Sequence, residues 1–524
     1  MNKIVIKLTL SLFAFGVTNL VYGQVDKKVL NWYNGGGAGM QTEKAYKKLK
    51  KRKTTTVVVA IIDSGIDIEH EDLKGKIWVN TDEIAGNGID DDNNGYIDDV
   101  HGWNFLGNAS GENANDMRLE KTRIYASLLK KQESGTLNAE DADLLEKVKA
   151  EVEGDRAKYE GYLGQIDMMG PMIAAIPGMV AKEIGKENYT MKDLKKWKPK
   201  TDEMLQMKGM AAAILSGDLS EEAMVGQKEQ IQGMLDTHLD PNFDGRAIVG
   251  DDPYDFSDVN YGNNDVEGPD ALHGTHVGGI VGAIRGNDLG GDGVANDVLL
   301  MSLRAVPNGD EFDKDIALAI RYAVDNGAQI INMSFGKAYS PNQKEVYEAF
   351  KYADSKGVLC VHAAGNDHKD IDVENNFPTS VYSFQDKKFD HFITIGSSTK
   401  DKKENLPSSF SNYGQKGVDV FAPGSEIYNA VPQSEYMELQ GTSMACPMVS
   451  GVAAMLKSYF PEMSMKEITD VILSTATSYK GVEQTHPGTK KMADFGTLSV
   501  TGSVVNVKNA VKACLAIEKA KKAK

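Results

Sequence analysis

The sequence has few cysteines and fewer basic than acidic side chains. Its three cysteines, Cys360, Cys446 and Cys514, are far apart and odd in number, and a chain of 524 residues does not need disulfides to fold. They lack the spacing of zinc ligands, and Cys360 and Cys446, which lie in apolar stretches, are predicted to be buried. The 58 Lys and Arg residues against 75 Asp and Glu give a formal net charge of −17. That balance argues against nucleic-acid binding, which depends on a basic surface.

Long apolar runs are absent as well, and the most apolar stretch near the N-terminus is too short to span a bilayer. It is "LTLSLFAFGV" at 8–17, preceded by Lys3 and Lys7 and followed by "VYG" at 21–23. This order of positive, apolar and small residues predicts a signal peptide over residues 1–23, with a buried first helix as the alternative. No cysteine lies near the expected cleavage site, so a lipid anchor is not expected. The mature chain is predicted to be exported, to the periplasm or the outside of the cell, without a transmembrane segment.

Short apolar runs recur from Thr54 onward, each followed by a polar turn and a helix-like stretch. The runs are continuous rather than alternating, as expected of strands buried on both faces of a parallel sheet. Helical stretches such as 314–326 and 343–356 fall between them. This pattern predicts an α/β fold, a three-layer, doubly wound and mostly parallel sheet with its functional residues at the carboxyl ends of strands. The predicted strands are 56–63, 298–306, 329–336, 358–365, 392–398 and 418–424.

One region lacks strand signals. Residues 116–242 are rich in Lys, Glu, Leu and Ala and hold 11 of the 22 methionines, which predicts an all-helical insertion of four or five helices. Two interpretations of the methionines stay open, the core of this insertion and an adaptable apolar surface. The predicted boundaries are 24–53 for a short N-terminal segment, 54–115 with 243–524 for the α/β domain, and 116–242 for the insertion.

Polar side chains adjoin several of these runs, and each has an ordinary structural explanation when taken alone. Asp63 closes the first strand, where a charge is costly unless it is used, but "DSG" is also good turn chemistry. His273 and His276 in "HGTHVGG" are three residues apart, whereas a helical zinc pair prefers a spacing of four with a Glu between. Ser443 opens a helix in "GTSMACP", as an N-cap or as a nucleophile beside free backbone N–H groups. Asn366 in "HAAGND" offers a neutral amide donor, or is a loop asparagine.

The order Asp63, His273, Ser443 is the aspartate–histidine–serine order of subtilisins. With the flanking residues, the chain resembles a subtilisin-like serine peptidase, or subtilase, of the exported bacterial type with a long helical insertion between the aspartate and histidine motifs. The resemblance covers about residues 54–110 and 250–474. The motifs that carry it are, in chain order, "IIDSGID" with "HEDL", "HGTHVGG", "GVANDVLLMSLRAV", "INMSFG", "AAGN", "ITIGSS", "SFSNYG", "VFAPG" and "GTSMACP".

The resemblance implies a site that hydrolyses peptide bonds. His273 would act as the general base for Ser443, and Asp63 would orient the imidazole and stabilise its protonated form. The backbone N–H of Ser443 and the side chain of Asn366 would form the oxyanion hole, and His276 would be structural. This chemistry requires no cofactor.

Two segments would bind the substrate by the same resemblance. The backbone of "SFG" would pair with it as an added strand, and "HAAG" would form part of the pocket wall. The expected partners are protein or peptide substrates, and nothing in the sequence indicates an oligomeric state. The implied substrate-binding residues are Ser334, Phe335, Gly336, Ala363, Ala364 and Gly365.

Three features depart from the family's pattern. Met448 stands where the family often has histidine, which predicts altered packing without loss of activity. The long interval between Asp63 and His273 is explained by the helical insertion. Residues 24–53 are too few for the inhibitory propeptide domain of many members, so we expect folding without one. The insertion is hypothesised to cover the cleft or restrict access to it.

The most acidic short stretch is "GNGIDDDNNGYIDDVHGWNF" at 86–105. Its oxygen-bearing residues match positions one, three, five, seven and nine of an EF-hand-like loop. His101 occupies position twelve in place of the bidentate glutamate, although Asp99 could substitute. Structural calcium, which is common in the family, and a solvated acidic turn are the two interpretations. The predicted ligands are Asp90, Asp92, Asn94, Asp98 and the carbonyl of Tyr96.

Three functions compete for this sequence. A secreted serine endopeptidase that acts through an acyl-enzyme is the leading interpretation. A catalytically silent binding protein on the same fold is the alternative from another class, although all four catalytic positions are intact. A hydrolase of another ester or amide is the third, but Ser443 lies in "GTSMA" and not in the G-x-S-x-G elbow of α/β-hydrolases.

Overall fold

A computed structural model describes residues 30–217 and 219–523. The predicted signal peptide, its cleavage site and the first residues of the N-terminal segment lie outside the described residues. The described chain forms two units, one of residues 149–239 and one of residues 30–148 with 240–523. The first is built from helices and the second around a large sheet.

A nine-stranded sheet carries the larger unit, in the strand order β10-β13-β7-β6-β5-β4-β1-β3-β2. Neighbouring strands pair in parallel except for β10 with β13. Two antiparallel hairpins, β8 with β9 and β11 with β12, lie outside this sheet. The strands are β1 (Val57–Asp63), β2 (Gly102–Asn104), β3 (Val298–Arg304), β4 (Ile330–Met333), β5 (Leu359–Ala363), β6 (Phe392–Ser398), β7 (Val420–Pro423), β8 (Ile427–Val431), β9 (Glu435–Leu439), β10 (Thr477–Ser478), β11 (Glu483–Thr485), β12 (Met492–Asp494) and β13 (Ser503–Val504).

Helices cover both faces of the sheet, which confirms the predicted three-layer, doubly wound α/β fold. Helices α1, α7, α10, α11 and α12 pack on one face, and α8 and α9 pack on the other. The α-helices are α1 (Thr42–Leu49), α2 (Glu120–Glu133), α3 (Ala139–Ile184), α4 (Met191–Lys196), α5 (Asp202–Ser216), α6 (Glu221–Gly233), α7 (Leu272–Gly282), α8 (Asp313–Asp325), α9 (Gln343–Ser355), α10 (Thr442–Tyr459), α11 (Met465–Thr475) and α12 (Val507–Lys522). Short 3₁₀ turns span Trp32–Asn34, Glu71–Leu73, Gly245–Ile248 and Phe495–Thr497, and a π turn spans Met234–His238.

Strand β1 shows why the apolar runs are continuous. Val59 and Ile61 belong to the core on the α7 face, and Ala60 and Ile62 belong to the core on the α8 face. Each fully buried Val or Ile contributes about 1.5–3 kcal/mol relative to exposure, so both faces must be apolar. Because side chains alternate along a strand, Asp63 follows Ile61 onto the face that α7 covers.

The cysteines and Met448 are buried in the core of the larger unit. Cys360 and Cys446 are buried free thiols, and so is Cys514. Met448 is fully buried in the core on the α7 face. Its position is therefore one of packing, as expected for a residue on the inward face of α10.

The unit of residues 149–239 contains α4, α5, α6 and most of α3, with a small core of its own. Its fully buried side chains include Val180, Leu194 and Ala211. Thr190 begins α4 with a capping box in which the Asp193 side chain reciprocates. Met168, Met172 and Met179 of α3 are exposed, while Met207 and Met210 pack against the core, so the methionines lie both on the surface and in the core of this unit. None of the helices in the described ranges is long and apolar enough to cross a bilayer.

Candidate active site

Asp63 ends β1 at the carboxyl edge of the sheet, between β3 and β4. Its side chain is 1% exposed. Oδ1 accepts hydrogen bonds from the Ser64 backbone N–H at 2.8 Å and from His273 Nδ1 at 2.6 Å, and the buried Oδ2 has no partner among the described residues. A buried carboxylate is costly unless it is paired, so the pairing with His273 accounts for an acidic residue at this strand end.

His273 lies in the first turn of α7 and its side chain remains 37% exposed. Since a carboxylate only accepts, Nδ1 carries the proton of the 2.6 Å contact with Asp63, and Nε2 of the neutral ring is left as an acceptor. Gly274 allows this approach, because a Cβ there would lie 2.1 Å from the Gly65 carbonyl oxygen. The first turn of α7 therefore leaves the His273 ring partly open to solvent, while Asp63 fixes the orientation of the ring through Nδ1.

The electrostatic balance at His273 favours the protonated ring. Burial lowers the pKa of His273, but the charge of Asp63, its hydrogen bond and the more distant charge of Asp270 outweigh that effect, and the pKa is raised above its ordinary value of 6.5. A raised pKa makes the imidazole a stronger base. It also stabilises the imidazolium that forms when the ring accepts a proton.

His276, three residues further along α7, occupies the opposite kind of environment. It is fully buried, and Nε2 lies 3.1 Å from the Ile427 carbonyl oxygen and 3.2 Å from that of Met437, on β8 and β9. Burial lowers the pKa of His276 to about 3, so the ring is neutral and donates from Nε2 to the hairpin. The two rings have different partners, Asp63 for His273 and the hairpin carbonyls for His276. His276 anchors the β8–β9 hairpin.

Ser443 lies in the first turn of α10, where the helix dipole places positive potential. Its hydroxyl donates to the Ser334 carbonyl oxygen at 3.0 Å, and the Ser334 hydroxyl donates to the Ser443 carbonyl oxygen at 2.9 Å. These two bonds tie the helix start to the end of β4. Ser443 is half-buried, so its hydroxyl remains within reach of solvent.

Asn366 follows β5 and is exposed. Its Oδ1 accepts from both the backbone N–H of Thr442 at 2.8 Å and the Thr442 hydroxyl at 2.9 Å, so its Nδ2 is not the atom that bonds Thr442. A methyl group built on Gly441 would lie 3.5 Å from Asn366 Nδ2 and 3.5 Å from the Ser443 N. Two N–H donors therefore border one small space beside Ser443. Sequence reasoning missed Thr442, whose only signal was its place next to the serine.

The two predicted substrate-binding segments adjoin this turn. Ser334 contacts Ser443 as described, and the Gly365 N–H donates to the Thr442 hydroxyl at 3.0 Å. Beneath 334–336, the buried His362 donates from Nε2 to the Phe335 carbonyl at 2.9 Å. Ala363 and Ala364 are buried, whereas Gly336 is exposed and Gly365 half-buried. Both segments therefore reach the surface next to the serine.

The acidic loop has a different arrangement from the one its spacing suggests. Asp90 and Asp92 lie with Glu83, each offering a carboxylate oxygen within 4.8 Å of the others. Asp98 instead accepts from the backbone N–H groups of residues 87 and 88, and the Asn94 side chain bonds within the loop. The Tyr96 ring packs against Trp103, Phe105 and Tyr322.

Glu83 lies outside the EF-hand spacing and sequence reasoning missed it. Burial, together with the negative charges of Asp99 and Asp92, raises its pKa. Clustered carboxylate oxygens suit a hard cation such as Ca²⁺, and a cation would relieve this repulsion. The donor set of Glu83, Asp90 and Asp92 therefore fits calcium.

Known proteins resemble this chain over much of its length. The family model described as the subtilase family matches residues 54–502. The chain is 35% identical over 50% of its length to a thermophilic serine proteinase of Bacillus sp. strain AK1, covering 62% of that protein. It is 36% identical over 46% of its length to thermitase of Thermoactinomyces vulgaris, covering 77% of it, and 36% identical over 47% to the halolysin-like extracellular serine protease Nep of Natrialba magadii, covering 42%. The chain thus spans less than two thirds of two of these relatives, and it belongs to the subtilase family.

Proposed function

We propose that this protein is a secreted serine endopeptidase that hydrolyses peptide bonds of protein or peptide substrates through an acyl-enzyme. The observation that carries the proposal is the 2.6 Å contact between Asp63 and the exposed, proton-accepting His273. Family membership and the two N–H donors beside Ser443 support it. Export is supported by the N-terminal sequence pattern and by the extracellular relative.

In the proposed first step, the Ser443 hydroxyl exchanges its Ser334 partner for Nε2 of His273. The oxygen attacks the substrate carbonyl carbon while its proton passes to Nε2, and Asp63 stabilises the imidazolium through Nδ1. The carbonyl π electrons move onto oxygen, which accepts hydrogen bonds from Asn366 Nδ2 and the Ser443 backbone N–H. Collapse of this intermediate breaks the C–N bond, and His273 returns the proton to the leaving amine.

Water completes the cycle by the same route. It attacks the ester carbonyl of the acylated Ser443 and gives a proton to His273. The second tetrahedral intermediate uses the same two N–H donors. Its collapse releases the carboxylic acid and restores the serine hydroxyl, so no cofactor takes part in any step.

A fluorophosphonate probe tests the proposal directly. We expect it to label the purified protein, and not the Ser443→Ala variant, because only an activated serine reacts. Ser474→Ala, which removes an exposed serine from α11, is the matched control and should label fully. A folded protein that fails to label, or a Ser443→Ala variant that labels equally, contradicts the proposal. Digestion of an unstructured protein substrate should follow the same pattern.

We also propose a structural calcium ion at Glu83, Asp90 and Asp92. Its role is to hold the loop, and no catalytic step depends on it. Binding to the folded state alone should raise the melting temperature in excess calcium and lower it in chelator. Glu83→Gln should reduce that difference. A melting temperature that calcium and chelator leave unchanged contradicts the ion.

A further inference from the structure

The backbone of 334–336, which would pair with substrate, lies beyond the end of β4 and is held by contacts outside the sheet. At its start, the hydroxyl and carbonyl groups of Ser334 bond to Ser443, as described above. At its other end, Lys337 exchanges two backbone hydrogen bonds with Phe377, donating at 2.9 Å and accepting at 2.8 Å. The path of the segment is therefore fixed at both ends.

The Lys337 side chain ends in a buried ionic cluster. Its ammonium group donates to a carboxylate oxygen of Glu120 at 2.7 Å and to the Glu311 carbonyl oxygen at 2.8 Å, and it lies 2.8 Å from Asp313 Oδ1. Lys337, Glu120 and Asp313 are each at most 6% exposed. Because losing a contact would leave a buried charge short of a partner, these acceptors hold the ammonium group in one position.

Glu120 belongs to the part of the sequence that departs from the family's pattern, since it is the first residue of α2 in the predicted insertion. Its carboxylate also accepts from Arg123, one turn along α2. The Arg123 guanidinium in turn donates to the carbonyl oxygens of Asp310 and Glu311. The start of α2 is thus fixed to the segment before α8 and, through Lys337, to the segment that would pair with substrate.

We propose that Glu120 and Lys337 are positioning residues, and that their ion pair holds the backbone of 334–336 where an extended peptide can pair with it. This rests on the proposed function. A peptide that adds as a strand binds through backbone hydrogen bonds, which require a fixed separation and register of the two backbones. A small displacement of the segment therefore weakens peptide binding. The insertion thus acts on substrate binding through its first helix.

Two substrates separate positioning from the catalytic machinery. One is a fluorogenic peptide long enough to lie along 334–336, and the other is an ester of a single acylated amino acid, which pairs with little of that segment. Glu120→Gln removes the charge and keeps the shape of the side chain. We expect it to lower the ratio of peptide to ester kcat/KM about 10- to 100-fold, the loss of roughly two backbone hydrogen bonds, mostly through a higher KM for the peptide. Ester hydrolysis and probe labelling should change little, because Asp63 holds His273 and α10 holds Ser443.

Lys337→Met removes the other half of the pair, and a double variant removes both charges. If the two side chains act through one contact, the double variant should lower the ratio no further than the more affected single variant does. The double variant also carries the test where a single variant does not fold, because it removes a positive and a negative charge together and keeps the net charge of the cluster.

Two control variants should leave the ratio unchanged. Glu348→Gln makes the same change in an exposed ion pair of α9, with Lys351 at 3.1 Å. Tyr322→Phe, which removes a donor from the buried Asp99, controls for lost stability. A wild-type ratio in the folded variants of the pair, an equal loss for peptide and ester, or additive losses in the double variant overturns the inference and leaves the proposed function standing. A wild-type protein that neither reacts with the probe nor cleaves either substrate rejects the proposed function, and the inference with it.

Discussion

Two buried carboxylates, Asp63 at the end of β1 and Asp99 in the acidic loop, show how the same group serves different ends. Oδ1 of Asp63 accepts from one backbone N–H and one ionisable ring, and its Oδ2 has no partner in the part of the chain that the structure describes. Asp99 is 0% exposed and accepts from three neutral side chains, those of Tyr322 at 2.5 Å and of Asn80 and Asn94 at 3.0 Å each. Asp63 is thus paired with a group that can become positively charged, and Asp99 with groups that cannot.

This difference predicts opposite consequences when each region is altered. Changes around Asp63 should reduce activity and leave the folded state intact, because His273 is partly solvated and the local hydrogen bonds are few. Changes around Asp99 should reduce stability and leave activity intact, because a buried charge there depends on each donor. The variants below test whether activity and stability respond separately to changes in the two regions.

Asp63→Asn should have the largest effect on activity. Without the carboxylate, Nδ1 loses the partner that fixes its proton, and the imidazolium loses its stabilising charge. We expect kcat to fall about 10⁴-fold, the loss known for the same change in a serine peptidase triad. The denaturant midpoint should change little. If unfolding accounted for the loss, Asp63 would resemble Asp99 and the comparison would fail.

Asn366→Asp should cause the second-largest loss of activity. The aspartate keeps an oxygen for Thr442 but replaces the proposed oxyanion donor with a second oxygen, so the turn is held while the donor is lost. We expect kcat to fall at least about 10²–10³-fold, the loss measured for such a donor in a subtilisin, with little change in KM. Asn366→Ala, which removes both contacts, distinguishes donor loss from loss of the Thr442 anchor. Equal activity of the aspartate variant and wild type would contradict the assignment.

Tyr322→Phe tests the other carboxylate. It removes the hydroxyl that donates to Asp99 and leaves a buried charge with one donor fewer, which should cost about 1–3 kcal/mol in the free energy of unfolding. Tyr352→Phe is the matched control, because the Tyr352 hydroxyl donates to the exposed Asp325 at 2.6 Å. Its loss should lower the free energy of unfolding by less than the loss of the Tyr322 hydroxyl. Denaturant titration measures both, and kcat/KM should match wild type in each. If the folded Tyr322→Phe variant lost activity, the acidic loop and the Asp63 site would be shown to depend on each other.

Most of the sheet, its helices and the catalytic residues could be predicted from the sequence, because strands, helices and catalytic motifs are local patterns. The run that ends at Asp63 differs from β1 by one residue, since burial on both faces leaves little freedom in composition. Helices predicted at 314–326 and 343–356 form at Asp313–Asp325 and Gln343–Ser355. The short strands β10 to β13 carry no such periodicity, being two or three residues long.

Contacts between residues that are distant in sequence could not be predicted, because no local sequence pattern records them. Glu83 joins Asp90 and Asp92 through a turn that EF-hand spacing does not include. Glu83 has no repeating neighbour and belongs to no motif. Such residues become visible only when the fold brings separate segments together.

The smallest expected effect concerns a charge that touches nothing in the site. Asp270 is exposed, and its negative charge helps raise the pKa of His273. The base form is neutral His273, so a raised pKa places the acid limb of kcat/KM at higher pH, and removing the charge should move that limb to lower pH. Asp270→Asn should therefore be more active than wild type on the acid side and equal to it on the plateau. Asp270→Glu should keep the wild-type limb. The difference should shrink as salt is added, because exposed charges are screened, whereas the contribution of the buried Asp63 should persist.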